Sequence, residues 1–360
     1  MKIITVAGIR PDFIRLSEII KRLDAADCEH ILVHTGQHYN DELSGIFFRD
    51  LDLRLPDHNL CAGGGNHYEQ LSTMIPRFLN DLKGSLDPRE PHKIVFLGDS
   101  NSVLMAPFLK KEGYTIAHIE ALMRSGDMRM LEEVNRICCD SVSDLLLTYH
   151  SDYLPYGDKL FGEKVVTGNT IVEPTAKYMP KVPRTGKHIL VDIHRPENFR
   201  DEDRMVRLFR MLRRLATKEE VFLLAFGRTM NAIHRYGISL GQIETIPLMG
   251  YKAHLEMQDA SKYIISDSGT DQEQACLLGV PVFVPRDFTE RPQSVHNLCS
   301  TMLDVKNLAE DMSDTFAGMS IMMSQRMRSN WLYPPADRMK KTSQIIVESL
   351  LADKKEKDQA

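Results

Sequence analysis

Two spacings of apolar residues alternate along the chain. Short apolar runs that end in turn residues read as buried strands over 2–7, 31–33, 93–97, 115–119, 144–148 and 164–167. The same pattern returns over 188–192, 221–225, 263–265 and 280–284. Between these runs apolar residues recur at helical spacing, as at Phe13, Ile14, Leu16, Ile19, Ile20 and Leu23. Further helices are expected over 41–51, 68–82 and 103–111, and 246–251 reads as a turn into a short helix. Strands alternating with helices predict an α/β protein built on parallel sheet. A connection containing Pro and Lys, 179–187, separates two similar halves. The expected domains are 1–178 and 188–330, with 331–360 as a C-terminal helix and charged tail packing back on the first.

Ligands of such sheets sit beyond the carboxyl ends of the strands. Arg10, Gln37, Asp99, Glu120 and Asn169 all fall at such ends. The stretch Asp267-Ser268-Gly269-Thr270-Asp271-Gln272-Glu273-Gln274 follows the apolar run 263–265 and reads as strand, turn and helix. Ser268 and Gly269 then lie at a helix N-terminus, where free N–H groups and the positive dipole end favour a phosphate. Glu273 and Gln274, a turn further in, are placed to reach a ribose. The plainer reading of this stretch is an ordinary Ser N-cap that binds nothing.

Composition narrows the class. Of 360 residues 42% are hydrophobic and 26% charged, as in an ordinary globular protein, and the formal net charge is −5. That balance argues against nucleic acid as a partner but allows a local basic pocket. The N-terminus lacks the apolar region of a signal peptide, and no apolar run nears the about 18 residues of a membrane span. A cytoplasmic protein without a membrane partner is expected. Six cysteines show no CxxC spacing and read as reduced, mostly buried small hydrophobes. Neither metal-ligand spacing nor a GxGxxG motif is present, so no metal and no cofactor is expected. The loop 61–66 holds three consecutive glycines, but no Walker-type Lys follows, and it reads as a mobile surface loop.

The chemistry-bearing residues form two sets. Asp99, Glu120, Glu132 and Glu133 lie in the first half, where clustered acids suit proton transfer. Capping, or pairing with Arg124 and Arg136, is the bland alternative. In the second half His194 follows a strand, as a phosphate contact or a structural histidine. Arg10, Arg15, Arg228, Arg286 and Arg291 supply cations for a pyrophosphate, or sit solvated on the surface.

Nine segments in order from Gly8 to Pro292 carry a resemblance. They are Gly-Ile-Arg-Pro-Asp-Phe-Ile-Arg, His-Thr-Gly-Gln-His-Tyr, Gly-Asp-Ser-Asn-Ser, His-Ile-Glu-Ala, Glu-Glu-Val-Asn-Arg, Gly-Asn-Thr, His-Arg-Pro-Glu-Asn, Asp-Ser-Gly-Thr-Asp-Gln-Glu-Gln-Ala and Arg-Asp-Phe-Thr-Glu-Arg-Pro. Together they resemble the UDP-N-acetylglucosamine 2-epimerase family. The resemblance implies two Rossmann-like domains of GT-B type facing across a cleft, with sugar chemistry in the first and UDP binding in the second. It implies inversion at C2 of a UDP-linked 2-acetamido sugar by elimination and re-addition of UDP. Asp99, Glu120 and Glu132 resemble the acid/base carboxylates, His194 the catalytic-site histidine, and Arg10, Ser268, Gly269 and Gln274 the UDP contacts. The implied substrate-binding set is completed by Arg15, Gln37, His38, Asn169, Arg228, Tyr251, Thr270, Glu273 and Arg291. A homodimer is implied as well.

The chain departs from the family pattern in places. Leu122 stands for a glycine, Thr270 for a glycine, Gln274 for a glutamate, Leu131 for a proline and Arg15 for a frequent lysine. Those departures put the sugar nucleotide in doubt, and 15–17 with 34–37 also resemble a branch acting on N-acetylated deoxy-L-sugars or diacetamido uronates. Three rival readings stay open: a hydrolysing 2-epimerase, a GT-B glycosyltransferase and a non-catalytic nucleotide-sugar sensor.

Overall fold

The computed structural model describes residues 1–36, 48–82, 86–181, 185–334 and 340–352. The chain forms two compact units. The first is Met1–Pro174 with the described residues from Leu332 onward, and the second is Thr175–Trp331. Each is an α/β unit on an all-parallel sheet, the expected fold class.

The first sheet contains β1 (Lys2–Ala7), β2 (Glu29–His34), β3 (His58–Asn59), β4 (His92–Leu97), β5 (Ile116–Ile119), β6 (Leu145–Thr148) and β7 (Glu163–Val166). Their order is β3-β2-β1-β4-β5-β6-β7. The second sheet contains β8 (His188–Asp192), β9 (Val221–Leu224), β10 (Glu244–Ile246), β11 (Ser261–Ser266), β12 (Val282–Val284) and β13 (Ser300–Met302), ordered β10-β9-β8-β11-β12-β13. Both orders run outward from a first strand and then reverse. The reversal lies between β1 and β4 in one unit and between β8 and β11 in the other, and the crevice there is where such sheets take ligands.

The central strands are continuous apolar runs because helices cover both faces. The helix Arg10–Asp24 starts at Pro11, whose fixed φ suits a first turn. It buries Phe13, Ile14, Leu16, Ile19, Ile20 and Leu23. Asp12 closes its N-terminus by accepting from the Gly8 and Ile9 N–H groups at 2.8 and 3.0 Å. The helix Thr342–Leu351 packs on it, and Arg22 donates to the Ser343 hydroxyl at 2.6 Å.

Some expectations need correction. β3, β10 and β13 are two- and three-residue edge strands, too short for a period to register. Ile246 therefore ends a strand rather than opening a turn. The span 103–111 starts as a 3₁₀ turn, Asn101–Met105, and becomes helical over Ala106–Lys111. Most of the helix expected at 41–51 lies outside the described residues. The cysteines are not all reduced: Cys276 and Cys299 form a disulfide. Packing of the helix Gly269–Leu278 beside β13 brings their Cα atoms to 5.0 Å across 23 residues of sequence, which no local spacing reveals. Of the free cysteines only Cys139 is buried, and Cys61 is exposed.

Candidate active site

In the first unit the ends of β1, β4, β5, β6 and β7 converge on one cluster. Asp99 follows β4 and Glu120 follows β5, two neighbouring strands. The fully buried Arg136 joins them, with Nη2 hydrogen-bonded to Asp99 Oδ2 and 3.5 Å from Glu120 Oε1. On the other side of Glu120, Arg15 Nη1 lies 4.0 Å from Oε2, 3.4 Å from the Tyr149 hydroxyl and 3.2 Å from Asn169 Oδ1. Tyr149 donates toward Glu120 Oε2 at 3.5 Å and shares a hydrogen bond with the Thr170 hydroxyl. A carboxylate flanked by two guanidinium groups and a phenol is held in place before any substrate arrives.

The backbone is constrained too. Glu120 and Leu122 both have φ of 67°, in the left-handed region that side chains disfavour. The turn is pinned by Ala121 N–H to the Leu147 carbonyl at 3.2 Å and Leu122 N–H to Asp140 at 3.0 Å. Asp140 also accepts from His118 Nδ1 and Arg124, each at 2.7 Å. His118 Nε2 faces the Gly98 carbonyl at 2.8 Å. Both ring nitrogens face oxygen acceptors, so only the imidazolium satisfies them. Burial opposes that charge, but Cys139 and Asp140 outweigh it and raise the His118 pKa well above its ordinary value. The ring thus braces the residue before Asp99 against the turn after Glu120.

Glu132 is half-buried in the first turn of the helix Leu131–Val142. It shares a helix face with Asn135 and Arg136, three and four residues on. Asn135 donates to the Asp99 carbonyl at 2.8 Å, so that face points at the cluster. Glu133 faces elsewhere, accepting from Ser125 N–H at 2.9 Å. Asp12 is a carboxyl that strand-end reasoning missed. Burial raises its pKa to about 7; the Gly8 and Ile9 N–H groups oppose this, and Asp99 and Glu120 add to it. Arg10 is half-buried at the start of its helix, while Gln37 and His38 lie outside the described residues.

The second unit places its residues around the N-terminus of the helix Gly269–Leu278. Ser268 is the N-cap and accepts from Asp271 N–H at 3.4 Å. Its neighbour Asp267 accepts from the N–H groups of His194 and Arg195 and from Asn198, at 2.8–3.2 Å. This ties the loop after β8 to the end of β11. His194 Nδ1 lies 2.6 Å from Asp192 Oδ1, and its ring packs 4.7 Å from Phe226. Burial pulls the His194 pKa down, but Asp192 and Asp267 outweigh it and the net shift is upward. The acids Asp192 and Asp267 with His194, and Asp192 and Asp271 with His254, each bring three ligand-type atoms within 4.8 Å, an arrangement the sequence spacing did not show. In the first group both Asp267 oxygens and Asp192 Oδ1 already take part in the hydrogen bonds just described.

Glu273 is fully buried and accepts from Arg291 Nε at 2.6 Å, so its carboxylate points inward. Arg291 also pairs with Glu290. A Cβ on Gly269 would lie 2.3 Å from Arg291 Nη1, so the missing side chain makes room for that guanidinium. Gln274 donates to the Tyr251 hydroxyl at 3.2 Å. Thr270 is half-buried, and Arg228 is exposed on the first turn of the helix Gly227–Arg235.

Comparison with known proteins fits this geometry. A family model described as UDP-N-acetylglucosamine 2-epimerase matches residues 21–335. The chain belongs to that family. It is 32% identical over 320 residues to a UDP-N-acetylglucosamine 2-epimerase of Methanococcus maripaludis, covering 82% of this chain and 85% of the relative. It is 32% identical over 304 residues to the UDP-2,3-diacetamido-2,3-dideoxy-D-glucuronate 2-epimerase of Pseudomonas aeruginosa, covering 81% and 84%. Among solved structures, the Methanocaldococcus jannaschii UDP-GlcNAc 2-epimerase in complex with UDP-GlcNAc and UDP superposes with a TM-score of 0.83 at 28% identity, covering 97% of this chain and 99% of that one. The family's GT-B-type fold accounts for the two similar sheets.

Within this family member, strand-end reasoning found Asp99, Glu120, Asn169 and His194 but not the groups that hold them. Arg136 appeared only as a bland partner for the acids, and Tyr149, His118 and Asp192 were missed. Tyr149 directly follows a strand and Asp192 ends one, so both carried the strand-end signal of Asp99.

Proposed function

We propose that this epimerase interconverts UDP-N-acetylglucosamine and UDP-N-acetylmannosamine, with sugar chemistry in the first unit and UDP bound by the second. The observation that carries the reading is the Arg136-bridged pair Asp99 and Glu120 at the ends of adjacent strands. One carboxylate removes the C2 proton. The C1–O bond breaks, its electron pair leaves on the phosphate oxygen of UDP, and a C1–C2 double bond forms. Re-addition returns UDP to C1 and a proton to the opposite face of C2. Two proton-handling groups are therefore needed, and they are drawn from Asp99, Glu120 and Glu132. The sequence of steps is redox-neutral and calls for no nicotinamide.

Gly269 and the helix that Ser268 caps offer N–H groups and a positive dipole end to the pyrophosphate, with the Ser268 side chain beside them. His194 and Arg10 add positive charge, and Gln274 with Tyr251 faces the ribose. Arg15, Asn169, Thr270, Arg228 and Arg291 complete the proposed binding set. The Methanococcus and Methanocaldococcus relatives support the N-acetylglucosamine substrate. The Pseudomonas relative supports a second reading, the same inversion on a UDP-diacetamido uronate.

A homodimer is proposed on the exposed apolar residues Leu131, Val134 and Ile137, one side of the helix that carries Glu132. No described helix is long and apolar enough to cross a membrane, and the proposed setting is the cytoplasm. The test is incubation with each UDP-sugar in D2O, followed by NMR. Deuterium at C2 of recovered UDP-sugar is expected. Free UDP with a free sugar deuterated at C2 would instead mark the hydrolysing reaction, and no change at all would mark a sensor.

A further inference from the structure

His194 rests on a buried acid network that the proposed reaction does not use. Asp192 lies at the end of β8 and is 4% exposed; Asp271 lies in the first turn of the helix Gly269–Leu278 and is 2% exposed. A carboxyl oxygen of each lies within 4.8 Å of the other and of a His254 ring nitrogen. Two ionised carboxylates so close and so buried repel each other, which favours a proton on one of them. The remaining partners say which. Asp192 Oδ1 lies 2.6 Å from His194 Nδ1, a ring whose charged form that contact favours. Asp271 meets only neutral donors, Gln258 Nε2 at 2.9 Å and the Ser266 hydroxyl at 2.7 Å.

We propose that Asp192 and Asp271 share one proton, held mainly on Asp271, and that Asp192 thereby fixes the His194 ring with Nδ1 inward and Nε2 outward. The proposal rests on the reading of His194 as a group of the UDP site only for its consequence, not for its geometry. Burial and then the neighbouring Asp192 push the Asp271 pKa well above the carboxylate range. Burial also pushes Asp192 up, but His194 outweighs it and the net shift is down. The other charged or titratable groups around the ring fit this assignment. Asp267 adds a second anion 3.5 Å from Nδ1, and Arg195 opposes the ring's charge. His254, on the helix Tyr251–Asp259, has its pKa lowered by burial and adds no charge when neutral.

Neutral Asp271 has a second effect. It is the third residue of the helix whose N-terminus faces the proposed pyrophosphate. An ionised carboxylate there would cancel part of the positive dipole end, whereas an acid leaves it intact. Asp271 also anchors that turn, since its N–H donates to Ser268 and its carboxyl accepts from Ser266, whose oxygen in turn accepts from Ser268 N–H at 3.0 Å. Asp192 and Asp271 are thus positioning residues for both the histidine and the helix end.

The test is NMR of the whole protein carrying 13Cε1-labelled histidine, with the His194 signal assigned by its loss in His194→Gln. Wild-type His194 is expected to titrate above the ordinary histidine value of about 6.5. Asp192→Asn should lower that titration by about one unit or more, since it removes the nearest anion. It should also cut kcat by about tenfold with KM little changed. Asp271→Asn replaces the acid with a neutral donor of the same shape and should leave the His194 titration at its wild-type position. A wild-type His194 that titrates at or below the ordinary value overturns the proposal without any variant. So does an Asp271→Asn protein whose His194 shifts as in Asp192→Asn, because Asp271 would then be an anion. Wild-type turnover in His194→Gln would sink the functional role of His194 while leaving the titration to decide the shared proton.

Discussion

In the first unit buried arginines serve carboxylates; in the second buried carboxylates serve arginines and a histidine. Both units have the same strand order up to the sixth strand, and both concentrate charge where that order reverses. Arg136 and Arg15 flank Glu120, and Arg136 reaches Asp99. In the second unit the signs invert: Glu273 and Glu290 hold Arg291, Glu197 and Glu290 hold Arg286, and Asp192 with Asp267 holds His194. The fold sets the place, and the sign of the held group sets the chemistry. In the proposed reaction the held carboxylates transfer protons to carbon, and the held cations and a helix end receive phosphate.

Removing the held groups breaks that contrast most sharply. Asp99→Asn, Glu120→Gln and Glu132→Gln should each lower kcat by about 10²–10⁴-fold, the usual range for a proton-transfer group. UDP should still raise their melting temperatures as in wild type, because a ligand that binds only the native state stabilises it by mass action. Ser268→Ala should show the converse, a smaller UDP-induced shift at a kcat much closer to wild type. If the acid variants keep wild-type turnover, the first unit is not the chemical one.

The first unit also stores strain that the second does not show at its proposed anion site. Leu122 sits at φ 67° yet is fully buried. The left-handed conformation costs roughly 1–2 kcal/mol, whereas deleting a buried leucine costs about 2–5 kcal/mol. Packing wins, so Leu122→Gly should destabilise the protein by about 1–3 kcal/mol in urea unfolding. The side chain occupies space opposite Gly157, where a Cβ would meet Leu122 Cδ1 at 2.9 Å. Gly157→Ala should therefore destabilise the wild type more than it destabilises a Leu122→Ala background. Additive effects would show that the two do not share that space.

Asp12 gives a pH-dependent version of the same comparison. Its pKa is about 7 in the folded protein against an ordinary 3.8. Between those values the folded state holds a proton that the unfolded state has released. Stability contributed by this group therefore falls as pH rises from about 4 through about 7 and stays low above. Asp12→Asn keeps an acceptor for Gly8 and Ile9 and has no proton to lose. Relative to wild type it should gain of order 1–2 kcal/mol between pH 5 and pH 8 by denaturant unfolding. A difference that does not change with pH would mean that Asp12 is ionised throughout.

How much of this could be read from sequence follows from distance along the chain. Asp99, Glu120 and Asn169 were legible because an apolar run marks where a buried strand stops, and the next polar residue is at its carboxyl end. Ser268 was legible because a cap precedes its helix directly. Arg136 as a bridge was not, since it reaches Asp99 across 37 residues and Glu120 across 16. The Asp192–Asp271 pair and the Cys276–Cys299 bond were hidden for the same reason. The left-handed turn at Glu120 and Leu122 carries no glycine, so nothing local announced it. Edge strands of two or three residues have no period to detect.

The smallest expected effect concerns the proposed ribose contact of the second unit. Gln274 is almost fully buried and donates to the Tyr251 hydroxyl, which lies 3.2 Å from the Thr175 hydroxyl. A glutamate at this position keeps the contact, because a phenol hydroxyl can turn and donate instead of accept. It would also offer two acceptor oxygens to a ribose diol, and charge-assisted hydrogen bonds are roughly twice as strong as neutral ones. Two terms oppose the gain: the new charge is buried, and Glu273 is its neighbour in sequence. Glu273, however, is already paired with Arg291 and so presents little net charge. The balance favours the ribose bonds by a small margin, and Gln274→Glu should bind UDP about two- to tenfold more tightly. Calorimetric titration with UDP and with 2′-deoxy-UDP decides it. A gain confined to UDP places the side chain on the ribose, whereas an equal gain for both ligands, or none, removes Gln274 from the ribose contact and leaves it as packing beneath Tyr251.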